Sequence, residues 1–320
     1  MERAENTARM LDVSYQTSLQ PQSVQEAEQG WRAPLSISEL LPAYQARHGD
    51  IDARHVREFI VADETNPSSI LNCLRAAREN ARAVRGTLTT EVWETTNQTW
   101  LEFRRLLADG RWANDPSALF EWVKFRSHLS RGVTVGTMLQ DEAFHFIRIG
   151  SFLERADNTA RLMDVKFYTA DEEAAPESRA QSQSQSSLPD QEPSHGQGHA
   201  ARDFYYWSAI LRSVSAFEIY RKVYSNVIQP EKVAELLILR PDMPRSLSHC
   251  MSRLVSNLQR VSNAQSAETL RRAGRLEASL EFGRIDEILA TGLHPFLDDF
   301  LVKVGELGLG ISRDFLVPSN

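Results

Sequence analysis

The segment ERAENTARMLDV at positions 2–13 recurs as ERADNTARLMDV at positions 154–165, with nine of the twelve residues identical and the other three exchanged for close relatives. No other feature constrains the fold as much, because a charged stretch repeated once implies two copies of one structural unit. The correspondence extends beyond it. Trp31 and Tyr44 are matched by Trp207 and Tyr220 at an offset of 176, and Pro67, Ser69, Cys73 and Asn80 by Pro244, Ser246, Cys250 and Asn257 at an offset of 177. The offset grows from 152 to 176 across a single stretch, as an insertion in the second copy produces. Two duplicated halves follow, residues 1–138 and 139–320. Solenoids stack three or more short repeats, so one pseudo-twofold assembly is the expectation.

The insertion falls at residues 171–203, where Ser, Gln, Pro, Gly and charges surround a single large aliphatic residue, Leu188. Such a stretch buries too little surface to offset its ordering entropy and reads as a disordered linker or long loop inside the second half. His195 and His199 within it read as solvated residues. The second dodecapeptide is led by Phe144, Phe146, Ile147, Ile149, Phe152 and Leu153, whereas only Met1 precedes the first. Matching the halves therefore leads us to expect about 15 to 25 further residues upstream of a truncated first helix.

Elsewhere apolar residues recur at spacings of three and four, and no run of alternating β-branched residues is found. Asn66-Pro67-Ser68 and Asp115-Pro116-Ser117 each set a capping side chain before a proline suited to the first helical position. The fold class is all-α, a pseudo-twofold helical bundle built from two duplicated halves. Trp93, Trp100, Trp112, Phe120, Trp122 and Phe125 fall near helical spacing and read as core.

Charged residues make up 25% of the chain, and no apolar run approaches the roughly 18 residues of a membrane span. The opening Met1-Glu2-Arg3-Ala4-Glu5 has no apolar stretch of the secretory kind, and two cysteines make no disulfide framework, so a cytoplasmic location is expected. The net charge of −7 gives no general attraction for nucleic acid.

On a helix, Glu154, Asp157, Asn158 and Arg161 share one arc, and Phe152, Ala156, Ala160 and Met163 another, which is a core face. Glu5 to Arg9 and Asp157 to Arg161 are i,i+4 pairs in the favourable orientation. Two readings of this charged belt remain open. The copies meet near the pseudo-twofold axis and lock by mutual ion pairing, or they face a cleft and hold a polar ligand. A carboxylate metal site is the weakest alternative. Glu142-Ala143-Phe144-His145 has a di-iron spacing, but Glu154 lies too far along the helix to share it, and no metal or other cofactor is expected. His128, His249 and His294 show no ligand spacing.

Arg75, Arg78, Arg82 and Arg85 form a second feature, four guanidinium groups on one stripe that includes Glu79 and Asn80. They are expected to pair with the motif's carboxylates and with Glu79 or Glu91, with a phosphate backbone as the alternative. Walker, dinucleotide-binding, nucleophile-elbow and Cys-x-x-Cys signatures are missing from the sequence.

ERADNTARLMDV, NPSSILNCLRAARENARAVRGTLTTEVWETTN and the C-terminal RLEASLEFGRIDEIL and GLHPFLDDFL together resemble the bacterial Alpha-E superfamily over nearly the whole chain. The resemblance implies an all-helical fold, and it implies an apolar helix before the first motif, which is lacking here. It marks Glu2, Arg3, Glu5, Asn6 and Arg9, then Glu154, Arg155, Asp157, Asn158 and Arg161, with Arg78, Glu79, Asn80 and Arg82 as a third cluster. Such proteins are typically encoded beside, or fused to, circularly permuted ATP-grasp ligases, often near transglutaminase-like peptidases. An ATP-grasp or transglutaminase-like partner is thus implied, and with it an accessory role in making or modifying amide bonds. An enzyme using the acid and arginine cluster is the second reading, and RNA binding through the arginine stripe the third.

Overall fold

The computed structural model describes the backbone of residues 1–181, 196–224 and 226–316, and their side chains apart from those of 165–203 and 316. Among the described residues there are fifteen α-helices and no strand, so the all-α reading holds. They are α1 (Glu2–Ser18), α2 (Val24–Ile37), α3 (Leu41–His48), α4 (Ala53–Val61), α5 (Ile70–Ala83), α6 (Thr90–Asp109) and α7 (Pro116–Thr137). There follow α8 (Glu142–Gln181), α9 (Gly196–Ser213), α10 (Phe217–Tyr224), α11 (Pro230–Ile238) and α12 (Leu247–Arg260), then α13 (Ala267–Glu281), α14 (Ile285–Thr291) and α15 (Leu293–Ile311). Helices α8 and α9 extend into the stretch read as a linker from both sides, and residues 182–195 at its centre lie outside the described residues. No described helix is long and apolar enough to cross a membrane.

Helix starts follow local side-chain chemistry. Ser23 and Glu26 form a capping box at α2, and Asp52, Ser69, Thr89, Asp115 and Ser246 each accept a backbone N–H at the start of their helices. Asp115-Pro116 starts α7 as its sequence suggests, but Asn66-Pro67 does not start α5. Asn66 is buried and ties the loop to the end of α4, its Nδ2 donating to Phe59 O at 3.0 Å and its Oδ1 accepting from Ser68 N at 3.0 Å. With that side chain engaged, Ser69 is the residue left to cap the helix.

Two local arrangements occur once in each part of the chain. Tyr44 and Tyr220 are fully buried, and each hydroxyl bridges two backbone groups of the loop after its helix: Asp50 O and Asp52 N for Tyr44, Val227 O and Gln229 N for Tyr220. Helices α2 and α9 both end in a Schellman turn, with Leu40 N bonded to Leu35 O and Ala216 N to Leu211 O, each at 2.7 Å. The left-handed position of those turns normally favours glycine, yet Glu39 and Ser215 occupy it, both at φ 55°. Holding a side chain there costs about 1 kcal/mol or more, and both side chains are used at the site described below.

One apolar core gathers residues between Ala4 and Val123. A larger one runs from Ile149 to Ile311 and takes in Met10 and Ile37 from the first part of the chain. Phe152, Ala156, Ala160 and Met163 are buried in it, as the helical arcs require. Helix α1 packs along α7, α8 along α12 and α15, and α1 against α8; α2 leans on α8 while α9 leans on α1. Of the aromatic residues read as core, Phe120 is buried and Phe125 is exposed, and the four tryptophans are half-buried. Arginines cover Trp93, Trp100 and Trp122, giving those rings a cationic lid in place of a full apolar wall.

Cys250 is 0% exposed, and burial pushes its thiol up to about 12; burial raises that of the half-buried Cys73 as well. Only the thiolate is nucleophilic. In the native protein at pH 8, a thiol reagent labels Cys250 more slowly than Cys73, and both react at one common fast rate once denaturant is added, as peptide mass spectrometry at timed quenches reads out.

Candidate functional site

Helices α1 and α8 meet through the repeated segment, and each copy supplies the partner of the other. Arg155 forks onto Glu2, Nε to Oε1 at 2.9 Å and Nη2 to Oε2 at 3.0 Å. Arg3 forks onto Glu154 in the same way, at 2.8 and 2.6 Å. The Glu-Arg dipeptide of one copy thus exchanges charges with that of the other through two bidentate bridges. One turn along, Arg9 bonds Glu5 at 2.9 Å and Arg161 bonds Asp157 at 2.8 Å, both within their own helix. The two arginines then reach to the left-handed turn residues, Arg9 to Ser215 Oγ at 2.5 Å and Arg161 to Glu39 Oε1.

On one side of this junction the acids are sealed. Glu5 is 0% exposed and receives Arg9, Arg131 and Arg245, together with the Ser127 hydroxyl at 2.8 Å. Glu2 receives Arg131 at 2.9 Å besides Arg155, and Arg245 lies 3.4 Å from it. Arg245 also donates to Asn6 Oδ1 at 2.7 Å, and its loop is held by Thr159 Oγ1 on Arg245 O and by Arg155 on Pro244 O. Two carboxylates therefore sit among four guanidinium groups.

Burial by itself raises the pKa of both acids. Hydrogen bonds from Arg155 to Glu2 and from Arg131 to Glu5, with the field of the other arginines, overcome that and hold both carboxyls below the usual range. The surplus positive charge acts on the neighbours. Burial, and then Arg155, Arg253 and Arg131, lower the pKa of Arg148, which covers the Phe152 ring at 4.5 Å. Burial lowers that of His128, which lies between Arg9 and Arg131 with one ring nitrogen toward each. A neutral imidazole has only one acceptor nitrogen, so it serves one of these two donors.

On the other side the junction is open. A cleft of about 360 Å³ is bounded by Arg3, Asn6 and Thr7 of α1 and by Glu154, Asp157, Asn158 and Arg161 of α8. Glu39 and Ser68 close one flank, and Val304, Gly305 and Gly308 of α15 the other. Three acids and two arginines give this wall a net charge of −1. Asn6, 3% exposed, forms part of it, and its Nδ2 has no hydrogen-bond partner.

The structure thus brings all ten residues of the two motifs to one junction but divides their roles. Glu2, Glu5, Arg9 and Arg155 belong to the sealed side, Arg3, Glu154, Asp157, Asn158 and Arg161 to the cleft, and Asn6 to both. The arginine stripe stands apart. Arg78 bonds Asn97 Oδ1 at 2.8 Å and pairs with Glu79, as does Arg82 at 3.5 Å. Arg85 covers Trp93 at 5.2 Å, and Arg75 and Asn80 are exposed. The expected pairing of this stripe with the motif carboxylates does not occur, because those oxygens are taken by arginines from α1, α7, α8 and the loop before α12. His145 of the di-iron-like spacing bonds Asn257.

Sequence reasoning missed Arg131, Arg245, Ser127, Ser215 and Glu39. One signal for Arg245 was present: it stands in Pro244-Arg245-Ser246 where the matching Pro67-Ser68-Ser69 has a serine. Nothing in the pattern around Arg131 separates it from an ordinary surface arginine.

These features define a helical protein whose two Glu-Arg segments interlock at its centre. The chain belongs to the Alpha-E family, described as a predicted alpha-helical domain with a conserved ER motif, which matches residues 1–316. Neither the curated proteins nor the solved structures contain a match to it.

Removing one partner of a buried pair strands the other charge, at about 3–5 kcal/mol, whereas an exposed pair contributes about 1 kcal/mol or less. Glu5→Gln therefore lowers the unfolding free energy several times more than Arg3→Gln, whose side chain is 52% exposed, when both are measured in urea. The depressed acids set the pH dependence. Their contribution is complete above the ordinary glutamate value of 4.5 and is lost as pH falls through the lower folded-state values. Urea midpoints fall below pH 4.5 in the wild type, and fall less steeply in Glu5→Gln.

Proposed function

We propose that this chain is a duplicated helical accessory protein whose open cleft holds a peptide-like or aminoacyl substrate for a partner enzyme of the circularly permuted ATP-grasp or transglutaminase-like type. The two halves, residues 1–138 and 139–320, are copies related by a pseudo-twofold axis through the α1 and α8 junction. Reciprocal pairing of Glu2 with Arg155 and of Arg3 with Glu154, the paired turns at Glu39 and Ser215 and the paired tyrosine loops support that relation.

The observation that carries the functional reading is the one-sidedness of the junction. A purely structural lock has no use for an opening, yet the motif residues Glu154, Asp157, Asn158 and Arg161 line a cleft while Glu2 and Glu5, the counterparts of the two acids, are sealed. The wall offers hydrogen-bond donors and acceptors of both charges, which suits an amide-bearing ligand. The sequence lacks a nucleotide-binding signature, so activation of a carboxylate falls to the partner.

Asp157, half-buried beside Arg161, favours a second reading in which the chain itself performs amide chemistry. The two are separated by incubating the purified chain alone with candidate peptides and looking for turnover by mass spectrometry. Gly305 faces open space at the position of a Cβ, so Gly305→Trp fills the cleft without touching the ion pairs. On our reading, the wild-type chain co-purifies with a circularly permuted ATP-grasp ligase of the same genome and raises its ATP consumption with acceptor peptides, while Gly305→Trp co-purifies but raises it at least tenfold less. Failure to co-purify at native salt, or equal stimulation by Gly305→Trp, defeats the proposal.

A further inference from the structure

The sealed side of the junction shows what the open side lacks. Counted 177 positions along the chain, Ser127, His128 and Arg131 of α7 correspond to Val304, Gly305 and Gly308 of α15, and Arg245 corresponds to Ser68 counted back by the same number. All four line the cleft, and Gly305, Gly308 and Ser68 are smaller than their counterparts. The register is supported by contacts at the far end of the same helices. Ser117 of α7 bonds Asp12 of the first motif, and His294 of α15, 177 positions on, bonds Asp164 of the second.

The cleft therefore occupies the space that two guanidinium groups and an imidazole fill on the sealed side. The acids that received them are still present. Glu5 has three arginine partners, whereas Asp157, its counterpart, has Arg161 alone among the described residues. Asn6 Oδ1 takes the fork of Arg245, while its counterpart Asn158 stands on the cleft wall. Asn6 shares the wall with these groups, its Oδ1 held by Arg245 on the sealed side and its Nδ2 buried without a partner.

We propose that the cleft binds a guanidinium group, an arginine or arginyl residue, with its planar fork on Asp157 and Asn158 as the fork of Arg245 lies on Glu5 and Asn6. The fork matches two acceptors one residue apart on a helix, which a lysine ammonium reaches as a point charge only. A volume of about 360 Å³ lies within the range of about 300–1,000 Å³ for small-molecule sites. The inference deepens the reading of the cleft as a substrate site and rests on it.

The test is calorimetric titration of the full chain with L-arginine, agmatine and a blocked Gly-Arg-Gly tripeptide, against lysine and citrulline, the last being the uncharged isostere of arginine. At least one guanidinium compound binds saturably, at least tenfold tighter than lysine or citrulline. Preference for free arginine over the tripeptide assigns the ligand to an amino acid, and the reverse to a peptide. Ser68→Arg supplies the cleft with its own guanidinium, as the sealed side has, and abolishes binding without lowering the thermal midpoint. Asp157→Asn weakens binding at least tenfold with the circular dichroism spectrum unchanged. Citrulline binding as tightly as arginine, full binding by Ser68→Arg, or no binding at millimolar ligand each overturn the inference. A cleft that takes neutral peptides and arginyl peptides alike leaves the accessory role standing and removes only the guanidinium; guanidinium binding without ligase stimulation does the opposite.

Discussion

Two buried glutamates, Glu2 and Glu5, are the constraint on which the rest of this structure depends. Burying a carboxylate costs several kcal/mol unless every oxygen is engaged by charge and hydrogen bonds. Here the partners come from α1 itself and from three places distant from it in sequence, α7, α8 and the loop before α12. Each must arrive in one position along α1, so the acids set the register of α1 against α7 and α8 and fix where the chain enters α12. The apolar cores supply most of the burial, but hydrophobic contact tolerates sliding that a bidentate bridge does not.

The junction accumulates positive charge on its sealed side and negative charge on its open side. Burial, and after it the field of nearby arginines, lowers the pKa of Arg148 and His128, while the cleft wall keeps its carboxylates with fewer cations. The structure is thus polar across its own centre. Small side chains at 68, 305 and 308 leave the open side unfilled.

The backbone carries a related sign. Glu39 and Ser215 both adopt a left-handed conformation that glycine occupies at no cost, and each uses it to reach an arginine distant in sequence, Arg161 for Glu39 and Arg9 for Ser215. Arg161 with Glu39 borders the cleft, and Arg9 with Ser215 closes the sealed side. The strained turns and the arginines that need them are therefore parts of one device.

The sequence by itself determined the helical class, the core arc of Phe152, Ala156, Ala160 and Met163, and the two segments that meet at the centre, because these follow from helical periodicity and from repetition within one chain. Which arginine meets which acid was not legible. The pairs joining the two segments span about 150 residues and that of Arg245 with Glu5 spans 240, and no local pattern encodes an approach of that length. For the same reason the arginine stripe of α5, conspicuous in one dimension, proved peripheral, and Arg131, inconspicuous, proved central. The division into a sealed and an open side was decided only in the tertiary structure, since a cavity is the absence of side chains from elsewhere in the chain, and glycines at 305 and 308 acquire meaning only when α15 is laid against α8.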